Sequence, residues 1–287
     1  MTRLEGFAYP RSVEEALAIL AESPGDARPI AGGTELVLRV ERGARVLVDL
    51  SRAGLDGIVL EADTLRLGAT ATLDAVARSR AVAEAGVEAL AEAAGAAASR
   101  RLRRQITLGG NLVALRPWSD TAPALLALGA TVRLRGADGS RAVAIDDFVA
   151  RHSSQGLRPG ELVVEIAVPR AAPRTGSAFL KFARSAVDYT LCDAAAWVRL
   201  DGGAIGEARV AVGGLRPLPA RLAAAERALS GRAPDPETLA AAAAAGAGEA
   251  EISADFRASV EYRRELCGVL VRRVLETAVR RALGRTA

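Results

Sequence analysis

Two glycine pairs restrict this chain more than any other feature of its sequence. Gly32-Gly33 follows the apolar entry Pro29-Ile30-Ala31, and Gly109-Gly110 follows Thr107-Leu108. Glycine reaches positive φ without a steric penalty and lets backbone approach a ligand closely, so successive amide N–H groups can converge on an anion. Each pair leads into a small polar side chain, Thr34 in one and Asn111 in the other, able to hydrogen-bond a phosphate oxygen or a polyol hydroxyl. One such pair by itself reads more simply as a tight turn. Two in one chain point to a long ligand with a central diphosphate, without identifying it.

Single residues remove other chemistries. Cys192 and Cys267 are the only cysteines, too few for a disulfide framework, a four-thiolate metal site or an iron–sulfur cluster. His152 is the only histidine and stands in a polar loop, where a solvated role is expected. The only lysine, Lys181, lies between Leu180 and Phe182, which rules out a GxxxxGK[ST] phosphate loop, and no GxGxxG spacing occurs. The 38 basic residues exceed the 34 acidic ones by a net charge of +4, and aromatics make up 3%, which argues against a nucleic-acid partner. The N-terminus lacks the apolar core of a signal peptide, and no apolar run reaches about 18 residues. We therefore expect a reduced, cytoplasmic protein without a membrane span. At about 100–200 residues per domain, 287 residues suggest two domains, or one with an appendage.

The periodicities predict an α+β fold. Ser12 and Glu15 form a capping box for a first helix. Residues 45–50, 64–69, 131–135 and 161–166 read as strands, Thr72 as the cap of a short helix, and 82–98 as one alanine-rich helical stretch. A proline-containing linker is expected over 169–176, then an antiparallel meander from 178–182, 194–200 and 208–212. Pro219 is expected in the first turn of a helix ending at Gly231. Residues 240–250 read as a mobile helix, and 259–283 as a long amphipathic helix whose arginines solvate one face. Both cysteines fall in apolar surroundings, where inert buried thiols are expected.

The order and content of these segments resemble the medium, FAD-binding subunit of molybdenum hydroxylases, the carbon monoxide dehydrogenase and xanthine dehydrogenase relatives. The resemblance rests on Phe7-Ala8-Tyr9-Pro10-Arg11-Ser12, Ala31-Gly32-Gly33-Thr34-Glu35-Leu36, Leu67-Gly68-Ala69-Thr70 and Thr107-Leu108-Gly109-Gly110-Asn111-Leu112. It continues through Ser119-Asp120, Lys181-Phe182-Ala183-Arg184, Val212-Gly213-Gly214 and Phe256-Arg257-Ala258-Ser259, and so spans essentially the whole chain in order. It implies a two-part PCMH-type FAD-binding domain over 1–172, subdivided near 55. An α+β C-terminal domain with an antiparallel sheet and helices, resembling that of carbon monoxide dehydrogenase flavoproteins, would follow over 177–287.

The resemblance also implies a set of cofactor contacts. Ile30, Ala31, Gly32, Gly33, Thr34 and Glu35 match the loop that wraps the FAD pyrophosphate through its amides. Thr107, Leu108, Gly109, Gly110 and Asn111 match a second FAD-contacting loop, with Thr107 and Asn111 as side-chain partners. Asp120 matches an acidic residue that holds the flavin or ribityl portion, and Lys181 a lysine near the cofactor. Trp118 could cover a flavin ring or fill core, and Tyr189 could approach the ring or simply pack. The sequence departs from the family at Arg103-Arg104-Gln105-Ile106, where an Arg-Asn pair is usual, and at Glu35, where Asp, Ser or Gln is commoner. No catalytic side chain and no metal site are expected here. The implied partners are a [2Fe–2S] small subunit and a molybdopterin large subunit, in a heterohexamer built as a dimer of heterotrimers. Electrons would pass from the clusters through FAD to NAD⁺, a quinone or O₂. A free-standing FAD oxidoreductase and a non-catalytic scaffold stay open as alternatives.

Overall fold

The computed structural model describes residues 4–37, 44–151, 157–158, 160–216 and 218–285. His152 lies outside the described residues. Three sheets with their helices make an α+β structure. The first is a small parallel sheet, in the order β1 (Gly6–Ala8), β3 (Val46–Asp49), β2 (Ala27–Ile30), with α1 (Val13–Glu22) between β1 and β2. Ser12 caps α1 by accepting from the Glu15 amide, and the Glu15 carboxylate accepts from the Arg11 amide. The second sheet runs β4 (Ile58–Glu61), β5 (Thr64–Gly68), β8 (Leu162–Pro169), β6 (Thr131–Gly136), β7 (Gly139–Ala144), antiparallel throughout.

β8 serves two cores because of one irregularity. Its register with β6 shifts between Arg133 and Leu134, and the extra residue flips the side-chain parity of the strand. Val163, Ile166 and Val168 therefore face the main core, while Leu162 and Val164 pack with Leu20, Val48 and Leu50 of the small parallel unit.

The helices between β5 and β6 are α2 (Leu73–Arg78), α3 (Arg80–Ala85), α4 (Glu88–Ala96), α5 (Arg100–Arg103), α6 (Leu108–Ala114) and α7 (Thr121–Leu128). The helical stretch expected over 82–98 is thus two helices. Gly86, at φ +68°, closes α3 with a left-handed cap, and the chain restarts at Glu88. After α8 (Ile145–Arg151), β8 and a short connection, the third sheet has the order β12 (Ala220–Arg221), β11 (Ala204–Gly213), β10 (Cys192–Asp201), β9 (Thr175–Phe182). Its long strands form the expected meander. Pro219 precedes β12, and the helix that follows, α9 (Ala223–Leu229), starts later than expected.

Both faces of the third sheet are covered, which is why the middle of β10, residues 194–198, reads as an apolar run. Ala194, Ala196 and Val198 face α11 (Val260–Gly284) in a core that α10 (Pro236–Glu249) shares, while Ala195 joins the main core beside α7. Alanines on a strand let helices come close. Gly176 shows the limit, since a Cβ there would sit 2.2 Å from the Ala278 carbonyl oxygen of α11. The alanine-rich helix α10 is not loose: Asp235 caps it, and Leu239, Ala242, Ala243 and Ala247 are buried in the C-terminal core. Arg263 of α11 departs from the expected solvated face. It is 1% exposed and donates to the carbonyls of Leu191 and Gly214.

Polar contacts bind the third sheet to the helices in front of it. The first turn of α4 is capped from outside, the Ala89 amide donating to Ser177 Oγ at 3.2 Å. Glu92 accepts from the Phe179 amide and from Arg281, and Glu88 pairs with Arg285. Among the described residues no helix is long and apolar enough to cross a membrane.

Candidate functional site

The first glycine pair leaves β2 and turns immediately. Gly33 has φ +71°, where a side chain would be strained, and its carbonyl accepts from the Val37 amide at 3.0 Å. Gly32 has ordinary φ but no room, since a Cβ there would lie 1.6 Å from the Gln105 carbonyl oxygen. Among the described residues, the amides of Gly32, Gly33 and Thr34 donate to no backbone or side-chain acceptor, although all three residues are only partly exposed. Buried or half-buried amides rarely go unpartnered. Three in succession on a turn make a cradle for an anion.

The second glycine pair does not form a loop. Thr107 is the N-cap of α6, accepting from the Gly110 amide at 3.2 Å, and Gly109-Gly110 is that helix's first turn. The amides here are spent: Leu108 donates to Ala71 O, Gly109 to Ala69 O and Asn111 to Thr107 O. Gly109 is glycine because a Cβ would meet Ala69 Cβ and O at 2.8 Å. The expectation of two amide loops is therefore corrected to one loop and one tightly packed helix start. Asn111 accepts from Thr121 Oγ1 at 2.6 Å, bracing α6 against α7.

The two segments still meet. Besides the Gly32–Gln105 contact, Glu35 accepts from Arg116 Nε at 2.8 Å in a paired contact that includes Nη2. The Glu35 side chain is thus committed to Arg116, on the connection between α6 and α7. That connection ends at Asp120, which caps nothing and is instead paired with Lys181 Nζ of β9 at 3.1 Å, both side chains being almost enclosed. Lys181 also donates to Ala96 O at 3.3 Å and lines a cavity of about 280 Å³ with Ala96, Ala183, Ser185 and Ala186. Burial pushes the Asp120 carboxyl up to about 6 against the pull of Lys181, and its Oδ1 has no hydrogen-bond partner. Beside this pair, Trp118 and Tyr189 pack with ring centroids 4.6 Å apart, joining the α6–α7 connection to the β9–β10 loop.

Ile30 and Ala31 deliver the loop from β2, as the sequence suggested. No local signal marks Gln105 or Arg116 as the wedge and tether of that loop. It did contain a signal for Asp193, a carboxylate inside an apolar strand. Asp193 is fully buried, is the cross-strand partner of Lys181, and has no hydrogen-bond partner at either carboxyl oxygen. Burial and the Asp120 charge push its carboxyl well above the usual range. Lys181, the Gly213 amide and the Thr190 hydroxyl oppose this, though neither of the last two reaches hydrogen-bonding geometry. A larger apolar groove of about 730 Å³ lies between α10 and α11, lined by residues such as Ala240, Ala244, Val260 and Val269, and shares no residue with the glycine loop.

An open amide cradle, a buried carboxylate with a spare oxygen and a lysine at a cavity fit a dinucleotide with a diphosphate and a polar ring edge. Comparison with known proteins agrees. Residues 3–171 match the FAD binding domain in molybdopterin dehydrogenase, and residues 177–278 the CO dehydrogenase flavoprotein C-terminal domain. The chain is 31% identical to the carbon monoxide dehydrogenase medium chain of Afipia carboxidovorans, over 95% of this chain and 96% of that one. It is 32% identical to the 6-hydroxypseudooxynicotine dehydrogenase complex subunit alpha of Paenarthrobacter nicotinovorans, over 94% and 93%. A chain in the structure of carbon monoxide dehydrogenase from Hydrogenophaga pseudoflava superposes with a TM-score of 0.90 at 32% identity, covering 98% of this chain and 99% of that one. The chain thus belongs to the FAD-binding flavoproteins of the molybdopterin dehydrogenases, a family of oxidoreductases.

Proposed function

We propose that this chain is the FAD-carrying, electron-transferring subunit of a cytoplasmic molybdenum hydroxylase. It would work between the [2Fe–2S] clusters of a small subunit and an acceptor such as NAD⁺, a quinone or O₂. A molybdopterin large subunit would complete a heterotrimer, paired into a heterohexamer. Relatives named as a medium chain and as a complex subunit support a place in a larger assembly. The 1–172 region would hold the cofactor and 177–287 would close over it.

One observation carries the reading: three unspent amides at Gly32, Gly33 and Thr34, held by Gln105 and by the Glu35–Arg116 pair toward the segment that ends at Asp120–Lys181. Bound FAD supplies the redox chemistry, and the chain supplies orientation and electrostatics. Those amides offset the diphosphate charge. Ile30 and Ala31 fix where the loop starts, and Thr107, Leu108, Gly109, Gly110 and Asn111 form the rigid floor against which it sits. Asp120 offers its free oxygen to a ring or ribityl donor, while Lys181 presents a positive charge at the cavity. No side chain of this site is required as an acid or base.

Co-expression with neighbouring reading frames tests the proposal. The expected result is a yellow chain that co-purifies with iron–sulfur and molybdenum subunits and whose flavin absorbance bleaches when the complex meets substrate. A yellow chain that oxidises a small molecule unaided would refute the subunit reading, and a colourless chain that rejects added FAD would refute the cofactor site.

A further inference from the structure

Asp193 is the one buried carboxyl at this site without an assigned task. Asp120 reaches the cluster from the residue preceding α7, Lys181 from β9 and Asp193 from the adjacent position of β10. Lys181 turns its ammonium to Asp120 and the Ala96 carbonyl and makes no ion pair with its cross-strand neighbour. Other charges nearby are committed elsewhere. From α11, Arg263 pairs with Asp255 at 2.7 Å and donates to the carbonyls of Leu191 and Gly214, and Cys267 brings only a thiol. β10 adds the Cys192 thiol, and β11 adds the uncharged Gly213. Two carboxylates around one ammonium leave a negative charge uncompensated in a closed interior, far costlier than protonating one of them. The proton belongs on the oxygen pair that no donor reaches.

We propose that Asp193 is a positioning residue of the cofactor site: it holds a proton at neutral pH, and that proton keeps Lys181 paired with Asp120 at the cavity edge. Once ionised, Asp193 competes for Lys181 and draws the ammonium across the strand pair, away from the cavity. The upward shift of the Asp193 carboxyl described above agrees with this placement of the proton. The part that concerns cofactor affinity rests on the FAD reading; the proton on Asp193 does not.

Infrared spectroscopy of the full-length apoprotein, wild type against D193N, tests the proton. A carboxylic-acid carbonyl band is expected in the wild type at neutral pH and is expected to vanish in D193N. The absence of such a band would overturn the proposal. Fluorescence titration with FAD, at pH values above the Asp120 carboxyl's value of about 6 and on either side of the pH at which the wild-type carbonyl band is lost, tests the positioning. Wild-type affinity should fall roughly tenfold as pH rises, the loss of one charge-assisted contact, while D193N stays flat. Identical pH profiles for the two proteins would overturn the positioning role. Absence of FAD binding at every pH with the band intact would refute the flavin reading and leave the proton on Asp193 supported. D120N keeps the test open if D193N fails to fold. With Asp193 the only carboxyl left beside Lys181, it should ionise and the band should disappear, and the band's persistence would overturn the proposal.

Discussion

Replacing Gly32 with alanine isolates the contact that aims the amide cradle. The added Cβ would lie 1.6 Å from Gln105 O and 2.6 Å from Gln105 C, whereas real Cβ contacts stay beyond 3.0 Å. Something must move by more than 1 Å, and the Gln105 side of the contact is held. Its amide donates to Leu102 O at 2.8 Å, and the next carbonyl, of Ile106, accepts from the Leu73 amide at 2.9 Å. The loop therefore gives way, and the Gly32, Gly33 and Thr34 amides shift with it. Overpacking of this kind costs about 1–3 kcal/mol of stability. Losing one hydrogen bond to a charged phosphate costs about 1.5–3 kcal/mol of binding, roughly ten- to a hundredfold in Kd. Gly33→Ala is the comparison. Its Cβ meets only Ile30 Cδ1 and Val37 Cγ2 at 3.3 and 3.4 Å. Its penalty is the positive φ, about 1–2 kcal/mol of stability, with a smaller displacement of the cradle. Fluorescence titration of each apoprotein with FAD, alongside thermal melts, reads both quantities. G32A should lose more affinity than G33A; FAD affinity within about twofold of wild type in G32A would refute the reasoning.

Three further outcomes follow from buried polar groups. Asp120, raised in the fold to about 6, contributes stability that is fully present below its unfolded value near 3.8 and is lost as pH rises through 6. Chemical denaturation from pH 4 to 7 should show the wild-type stability falling relative to D120N over that window; a constant difference would contradict it. Arg263→Met removes the buried guanidinium that serves the Leu191 and Gly214 carbonyls, whereas Asp255 keeps Arg257, so about 1–3 kcal/mol for each carbonyl left without a donor should be lost in denaturant melts. Ser177→Ala removes the external cap of α4 and should cost about 1 kcal/mol, with faster amide exchange at Ala89 by mass spectrometry.

Most of the fold was legible because local signals agreed with tertiary ones. Ser12 caps α1 as predicted, with Glu15 reaching back to the Arg11 amide instead of that of Ser12, and the long strands of the third sheet lie where the alternation put them. The misreadings have physical causes. Gly109-Gly110 looks like Gly32-Gly33 in sequence, yet one pair opens a helix whose start packs on Ala69, while the other turns at positive φ against the Gln105 carbonyl. Only tertiary contacts distinguish the two uses. Arg263 reads as one arginine among many on an amphipathic helix. Its burial depends on carbonyls of Leu191 and Gly214, which lie 72 and 49 residues away. The alanine tract at 240–250 looks unanchored, but alanine is the size that the close packing of α10 admits. Asp120 and Lys181 were each legible as candidate contacts; their partnership was not, because it spans 61 residues and joins the residue preceding α7 to β9.

A structure of the full chain with FAD bound is the most direct trial. The diphosphate oxygens should lie within hydrogen-bonding distance of the Gly32, Gly33 and Thr34 amides, with the ring end beside the Asp120–Lys181 pair. A nucleotide seated in the groove between α10 and α11, with those amides untouched, would contradict the account.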